Sequence, residues 1–520
     1  MRRLTLPLAG LALALAGCAP ALTPPPAASA VAPPADWRTA LPTDGAAIDS
    51  RWWSAFGDAR LTALVEQARA NNSDLAIAAA RVAEARAQER VARSLLLPNL
   101  SLSGQGAEAR SVNAFGQPTE SFTAQPVFQA SYEIDLFGRN AATREAARAN
   151  AAAVAAAREA ATLSVSAAAA SGYITLLALD ARRQLLAETL TSRSEALRLA
   201  RSRAEAGYTS QLELRQAEAE YQATAQQIPA IEAAIARQEN GLSLLVGDTP
   251  HAIARGDGFA ALAEPPVPAV LPSELVRRRP DIGQAEYALA ATDANLRAAR
   301  AQFLPQVRLA ASAGAVISSA LGDPISIWSV GGSILAPIFS GGRLQGQFDA
   351  ATAQRDQAAF AYRKTVLTAF REVEDQMAVI DRFNAQEQAL MAQRAAVADA
   401  LRHATNRYRA GYSPYLEQLD AQRSLLGVDL ALDLRAQVPR ERPGQDRQAA
   451  HEAAAERDDP QHERGVGGGV VGRRGERLRV ALRVALAVAL LRVALLVAGV
   501  PLRVALLGRV GVGRLTLGGL

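Results

Sequence analysis

Two stretches of this chain are long, rich in helix-forming residues and free of proline. Residues 140–206 and 344–410 are each 67 residues long and contain one glycine apiece. At a rise of 1.5 Å per residue, each would form a helix about 100 Å long. Helices of this length are rare in compact domains and need partners along their whole length. The sequence therefore predicts a helical bundle or coiled coil.

The two stretches are copies of each other. Each runs into the sequence Ala-Gly-Tyr, at residues 206–208 and again at 410–412, and a Leu-Glu pair follows both turns. Leu-Pro pairs stand upstream at 97–98 and 304–305. Helical patterning resumes after the first turn and predicts one further helix over residues 211–246. The matching landmarks, offset by about 204 residues at the turns, predict an internal duplication.

Between each Leu-Pro pair and each long helix the hydrophobic period changes to two. This alternation predicts one β-hairpin per copy, at about residues 99–136 and 306–339. The apolar faces could pack on a soluble core, but helices of this length leave little core to cover. Four strands are too few for a transmembrane barrel, since the smallest single-chain barrels have about eight strands and an open edge cannot face lipid. A spanning barrel therefore needs two copies with eight strands or three with twelve, and strand counting does not choose between them.

The N-terminus is typical of a secreted bacterial lipoprotein. Two arginines precede a short apolar run, which is shorter than the roughly 20 residues of a membrane-spanning helix. Cys18, the sole cysteine, directly follows Leu-Ala-Gly. This lipobox pattern predicts that residues 1–17 are a signal peptide and that Cys18 is lipidated; the alternative is an ordinary signal peptide with a chance cysteine. Ala19 in place of aspartate favours the outer membrane, and residues 18–35 predict an extended Ala/Pro tether.

The net charge of +5 comes from the C-terminal tail. Residues 438–520 carry 14 arginines and eight acidic residues, whereas the body of the chain is mildly acidic. This distribution excludes nucleic acid as an expected partner. Helical patterning lapses near Gln437, and the arginines that interrupt the apolar tail argue against a transmembrane anchor. We hypothesise a frameshift near residues 434–438, which would truncate the last helix; the alternative is a genuine extension of the chain.

Catalytic patterns are missing from the sequence. The four histidines have no neighbouring carboxylates or thiols at metal-ligand spacing, and no nucleophile elbow or Walker loop is present. The glycine cluster at residues 467–472 matches a dinucleotide fingerprint, but it follows no credible strand. We therefore expect a protein that is not an enzyme and has no cofactor and no metal site.

Several motifs resemble one known family. Residues 278–282 read Arg-Arg-Pro-Asp-Ile between the two copies, and the pair Trp52-Trp53 is followed by Phe-Gly-Asp at 56–58. Together with the lipobox and the duplicated helix-hairpin order, they resemble the TolC superfamily, and within it the OprM-type (NodT family) outer-membrane efflux lipoproteins. The resemblance covers about residues 1–437.

The resemblance implies a mainly α fold with a β-barrel portion. A homotrimer would close a 12-stranded barrel in the outer-membrane lipid, with a coiled-coil helical barrel crossing the periplasm. The expected domains are a first efflux repeat at 36–250, a linker at 251–272, a second repeat at 273–437 and the anomalous tail at 438–520.

The implied function is a passive export duct for drugs or other small molecules. Its expected partners are a periplasmic adaptor protein and an inner-membrane pump of the RND type. Two alternatives remain open from the residues alone. One is a duct for type I protein secretion, and the other is a purely structural periplasmic coiled-coil lipoprotein, which would leave the paired amphipathic hairpins unexplained.

The expected gate lies where the helices turn, at the periplasmic tip. The turns are marked by the pairs Gly207-Tyr208 and Gly411-Tyr412. Past the second turn, Leu416 and Asp420 are four residues apart and share a helix face. The resemblance identifies them with the family's apolar and acidic constriction rings. In the alternative, Leu416 packs against a neighbouring helix and Asp420 is merely solvated.

Overall fold

The computed structural model describes residues 19–39, 50–112, 114–263, 265 and 272–435. The signal peptide at 1–17, the lipidation residue Cys18, part of the 251–272 linker and the tail at 438–520 therefore fall outside the described residues. The described chain is mainly α with one four-stranded sheet, which confirms the predicted fold class.

The elements follow the duplicated order. The helices are α1 (Ala59–Asn71), α2 (Ser73–Ser94), α3 (Arg139–Glu205), α4 (Gln211–Ala225), α5 (Gln227–Leu245), α6 (Pro272–Arg278), α7 (Pro280–Ala301), α8 (Arg343–Arg409) and α9 (Tyr415–Arg435). The strands are β1 (Asn99–Val112), β2 (Pro118–Ile134), β3 (Gln306–Ser318) and β4 (Ile325–Leu335). The described residues divide into two units, the first within 19–32, 78–158 and 280–367 and the second within 33–77, 159–279 and 368–435.

The first unit contains the sheet, whose strands pair antiparallel in the order β1-β2-β3-β4. The two hairpins therefore join edge to edge through β2 and β3. Strand β4 ends at Leu335, just before Ala336-Pro337, because proline cannot donate to a strand ladder.

The two faces of this sheet differ in chemistry. One register row joins Leu102, Phe128, Ala313 and Trp328, and the next joins Ser103 to Val127 and Gly314. The exposed apolar face includes Leu100, Leu102, Phe122, Phe128, Leu309, Trp328, Val330 and Ile334. The opposite face carries Ser101, Ser103, Gln105, Gln125, Gln129, Ser131, Ser312, Ser329 and Ser333. The sheet is thus apolar on one side and mainly polar on the other, as strand alternation dictates.

The polar face forms hydrogen bonds of its own. The hydroxyl oxygens of Ser312 and Ser329 lie 2.8 Å apart across β3 and β4. At one end of the sheet Arg139 donates to both carboxylate oxygens of Glu133, at 2.6 and 2.8 Å. Arg308 approaches the same carboxylate to 3.5 Å. The Glu133 carboxylate on this face therefore lies close to two guanidinium groups, those of Arg139 and Arg308.

The described part of the Ala/Pro tether also belongs to this unit and is held against helices. It contains one short 3₁₀ turn, at Ala27–Ser29. Arg300 of α7 donates to the Pro20 carbonyl at 2.8 Å, and Arg355 of α8 donates to the Thr23 carbonyl. Proline-rich backbone has few N–H groups and leaves its carbonyls without ladder partners, so arginine side chains can satisfy them.

The second unit has an apolar core around the middle of α3. It buries Trp53, Phe56, Leu61, Tyr173 and Leu242 with many smaller residues. A window of α3 is long and apolar enough to cross a membrane, but 56% of that window is buried inside the structure. The packing in this core accounts for the apolar composition of α3.

Two glycines of the second unit are required by close approach. Gly172, in the middle of α3, lies against Leu242, and an added Cβ would come within 2.8 Å of its Cδ2 atom. Gly247, after α5, has a φ of 75°, and an added Cβ would come within 2.5 Å of the Asn71 carbonyl oxygen. Both positions therefore exclude any side chain without local displacement.

The helix predicted over residues 211–246 is wrong in one respect. The structure ends α4 at Ala225 and begins α5 at Gln227, with Gln226 between them. Pro229 explains the break, because its ring clashes with the carbonyl four residues earlier and it has no N–H to donate. Pro229 is the third residue of α5, where a backbone N–H has no acceptor within the helix, so the missing N–H of proline costs no hydrogen bond there.

Candidate functional site

The two long helices end in matching glycine turns, both in the second unit. Gly207 and Gly411 have φ angles of 74° and 80°, in the left-handed region that favours glycine. After α3 the Tyr208 N–H donates to the Arg203 carbonyl at 2.8 Å, and after α8 the Tyr412 N–H donates to the Arg407 carbonyl at 2.9 Å. These bonds are typical of the Schellman helix end.

The tyrosines of both turns project into solvent. Tyr208 is 85% exposed and Tyr412 is 81% exposed. Such large exposed aromatics at two matching turns form a surface that a partner could cover. Their periplasmic position stays a prediction.

Helix α9 separates the predicted gate residues from its packing residues. Leu416, 56% exposed, and Asp420 lie on the exposed side. Tyr415 and Leu419 are buried on the other side. Leu416 and Asp420 thus share one solvent-facing stripe in the single chain, as their spacing predicts, and their role as a pore gate stays a prediction.

The buried side of α9 packs against the first repeat. Two small residues of the first repeat, Ala200 of α3 and Ala217 of α4, are 0% and 1% exposed. They are covered by Tyr415 and Leu419 of α9 together with Tyr408 of α8. The rings of Tyr408 and Tyr415 are 5.4 Å apart between centroids. Burial raises the pKa of both tyrosine hydroxyls, so both stay neutral at physiological pH.

Arg203, just before the first turn, contacts the residues just before the second turn. Its guanidinium lies over the Tyr408 ring, 4.7 Å from the centroid. It also donates to the carbonyls of Tyr408 and Arg409, at 3.2 and 3.1 Å. A cation at the end of α8 satisfies carbonyls that have no partner within the helix and interacts favourably with the helix dipole.

A three-residue ion cluster lies deeper along the same contact. Glu220 of α4 accepts from Arg193 of α3 through one carboxylate oxygen and from Arg423 of α9 through the other, at 2.7 Å from the Arg423 Nε atom. Only 4% of the Arg193 side chain and 11% of the Glu220 side chain are exposed. The hydrogen bond to Glu220 raises the pKa of Arg423. We call these residues the α4–α9 ion cluster.

Sequence reasoning did not find the ion cluster. Glu220 and Arg423 are 203 residues apart, and no local spacing connects them. The sequence feature that could have indicated the cluster is a difference between the two repeats. The positions equivalent to Arg193 and Glu220 in the second copy are Val397 and Ser424, so a buried charge pair is present in one copy and replaced in the other.

The second repeat has a cavity at the equivalent place. It has a volume of about 380 Å³ and lies between α8 and α9. Its lining includes His403, Ala404, Arg407, Glu417, Asp420 and Ala421. Arg407 and Glu417 approach to 3.6 Å, and the His403 Nε2 atom lies 3.4 Å from Asp399. Among the described residues no group of three or more histidine, cysteine or acidic side chains is placed to hold a metal ion.

Comparison with known proteins places this architecture in context. The family model described as outer membrane efflux protein matches residues 64–248 and 271–438. The pyoverdine export outer membrane protein OpmQ of Pseudomonas putida is 33% identical over 428 residues, which cover 80% of this chain and 90% of that protein. Outer membrane protein OprJ of Pseudomonas aeruginosa is 35% identical, with 80% and 88% covered. The crystal structure of a membrane protein from P. aeruginosa superimposes with a TM-score of 0.74 at 29% identity, covering 92% of this chain and 99% of that one.

Proposed function

The chain belongs to the outer membrane efflux protein family, and from that premise we propose that it is the outer-membrane channel subunit of a tripartite efflux system. It acts as a passive duct for small molecules, and the energy for export comes from its partners. Those partners are a periplasmic adaptor protein and an inner-membrane pump of the RND type. Acylation of Cys18 anchors the chain in the outer-membrane lipid.

The single observation that carries this proposal is the two-faced sheet. Its apolar face presents Trp328 and Val330 at 78% exposure each, while Ser312 and Ser329 occupy the other face. A sheet on a soluble core would bury its apolar side, whereas a membrane barrel presents it to lipid and lines its lumen with polar groups.

A single chain cannot complete such a barrel, because β1 and β4 are both free edges of the described sheet. We infer a homotrimer in which three such sheets close one 12-stranded barrel. The three chains then surround one axis, with the α3–α4 and α8–α9 turns at the periplasmic end.

The gate of the duct lies at these turns. Threefold symmetry places three Leu416 side chains in an apolar ring and three Asp420 carboxylates in an acidic ring. Like charges around one axis repel each other and attract cations, so the acidic ring both filters ions and resists close approach. The exposure of Leu416 and Asp420 in the single chain supports this assignment, because neither is used in packing the protomer.

The test is single-channel conductance of the trimer in planar bilayers. We expect the double variant Leu416→Ala with Asp420→Ala to raise conductance and to increase antibiotic leakage in cells. The matched control is Leu212→Ala with Gln216→Ala, the equivalent positions of the first repeat, which should leave conductance unchanged. An assembled trimer whose conductance is the same for both double variants would contradict the gate.

A further inference from the structure

Three arginines donate side-chain hydrogen bonds to the backbone of the Ala/Pro tether. One belongs to the last turn of α7 and the other two to α8, and all three acceptors are main-chain carbonyls. The pairs are Arg300 with Pro20, Arg355 with Thr23 and Arg363 with Ala30. The partners are 280 to 333 residues apart in sequence, so these bonds fix how the tether lies on the two helices.

Arg355 is the most deeply buried of the three arginines. Only 2% of its side chain is exposed, and its Nε atom donates to Asp356 at 2.8 Å. Of its other two nitrogens, one donates to the Thr23 carbonyl and one lies 3.5 Å from the Thr23 hydroxyl. Burying a cation without such partners is strongly unfavourable. The tether is therefore a necessary part of the surroundings of this guanidinium.

The first repeat lacks the two arginines of α8. By the offset of 204 residues, Arg355 and Arg363 correspond to Ala151 and Glu159 of α3. Neither alanine nor an ionised glutamate has a side-chain donor for a carbonyl. The duplicated helices therefore differ at the two positions where the tether lies on α8. This difference indicates that the arginines serve the tether and not the packing common to both repeats.

The order of the contacts places the N-terminal end of the tether nearest the sheet. Arg300 comes six residues before β3 begins, whereas Arg355 and Arg363 lie 12 and 20 residues beyond the start of α8. At 1.5 Å per residue, the latter two are about 18 and 30 Å from that start. The two residues from Pro20 back to Cys18 can span at most about 7 Å. A held Pro20 therefore limits where the lipid anchor can be.

We propose that Arg300 and Arg355 are positioning residues for the lipid anchor. They hold the tether as a fixed strap, so that acylated Cys18 enters the membrane at the base of the second hairpin. The inference rests on the proposed function, because it requires lipidation of Cys18 and a sheet in the membrane. Without these bonds the tether would be a semi-rigid spacer that pivots, and the anchor could enter the lipid anywhere within its reach.

The rate at which a protease cuts the tether measures how firmly it is held. Cutting tracks the fraction of molecules with a released tether when release and rebinding are fast relative to cleavage. In lipidated trimers we expect Arg355→Met to speed cutting about ten- to a hundredfold, as the loss of one charge-assisted hydrogen bond predicts. Arg363→Met, at a less buried site, should also speed cutting and gives a second measurement if Arg355→Met lowers the yield of trimer.

Arg355→Lys separates hydrogen bonding from packing. Lysine keeps a cation that can donate to the Thr23 carbonyl, whereas methionine has a similar length and cannot donate. We expect Arg355→Lys to restore most of the resistance to cutting. The matched control is Arg297→Met on α7, because Arg297 pairs with Glu145 and Asp293, and it should leave the rate unchanged. Equal cutting of the wild type and Arg355→Met, or of the lysine and methionine variants, would overturn the strap.

Double electron–electron resonance tests where the strap holds the anchor. Nitroxides on Ala21→Cys and Gln302→Cys report the distance between the tether and the segment just after α7. We expect one narrow intrachain distance, which Arg300→Met should broaden and Arg297→Met should not. A distribution that is equally narrow in Arg300→Met, or broad in the wild type, would refute the assigned position. Cys18 is the only native cysteine; if its thiol takes the label in the wild-type chain, that would contradict lipidation and the proposed function instead.

Discussion

The α4–α9 ion cluster allows a quantitative prediction about what holds the proposed gate helix in place. Replacing Glu220 with glutamine removes the carboxylate that Arg193 and Arg423 share. Arg193 keeps its charge, and with 4% of its side chain exposed it would be left without a counterion. Breaking a buried ion pair in this way costs about 3–5 kcal/mol. Tyr415 of α9 lies close enough to Arg193 and Glu220 to interact with both charges. Because separation of α9 would let water reach the uncompensated Arg193, we expect most of this loss to appear as weaker docking of α9.

Two comparison variants set the scale. Arg423 has 58% of its side chain exposed, so Arg423→Gln should cost about 0.5–1 kcal/mol. Glu218 lies on the same helix as Glu220 but pairs only with the exposed side chains of Arg215 and Arg201, so Glu218→Gln should cost less than about 0.5 kcal/mol. We therefore expect Glu220→Gln to lose clearly more stability than either of the other two variants.

Native-state hydrogen exchange of the α9 amides measures the effect directly. A loss of 3–5 kcal/mol corresponds to about two to three and a half orders of magnitude in the local opening equilibrium. We expect amides near Leu419 and Arg423 to exchange faster by that factor in Glu220→Gln, while amides in the sheet are unchanged. Exchange as slow as in Glu218→Gln, in a trimer of normal yield, would refute the argument that this cluster anchors α9.

Two further predictions concern the sheet and a turn. Val330→Arg places a charge on the apolar face near the middle of β4 and should destabilise the membrane-inserted trimer by about 2–4 kcal/mol, whereas Ser329→Arg on the polar face should be tolerated. Urea unfolding in lipid vesicles measures both, and equal losses would contradict the assigned faces. Gly247→Ala combines a φ of 75° with a Cβ within 2.5 Å of the Asn71 carbonyl, so it should cost about 2–4 kcal/mol. Gly207→Ala, with φ 74° and open space, should cost about 1–2 kcal/mol; equal melting temperatures for these two variants would show that the contact is relieved by movement of the backbone.

The architecture could be predicted because its signals are periodic and repeated. The long helices were expected at 140–206 and 344–410, and they occupy Arg139–Glu205 and Arg343–Arg409. A left-handed glycine ends each of them, and glycine is the one residue that adopts this conformation freely. The break between α4 and α5 is not predicted by helical periodicity, because the helical pattern continues through Gln226. Pro229 is the only local residue that indicates it.

The contacts around the turns could not be predicted in the same way. Pairing of Glu220 with Arg423 depends on how four helices pack, and such packing leaves no local pattern in a sequence. The exposure of Leu416 is equally a property of the packed structure, since an apolar residue on an amphipathic helix normally faces the core. Here Tyr415 and Leu419 take the core side of α9, and Leu416 is left for another surface.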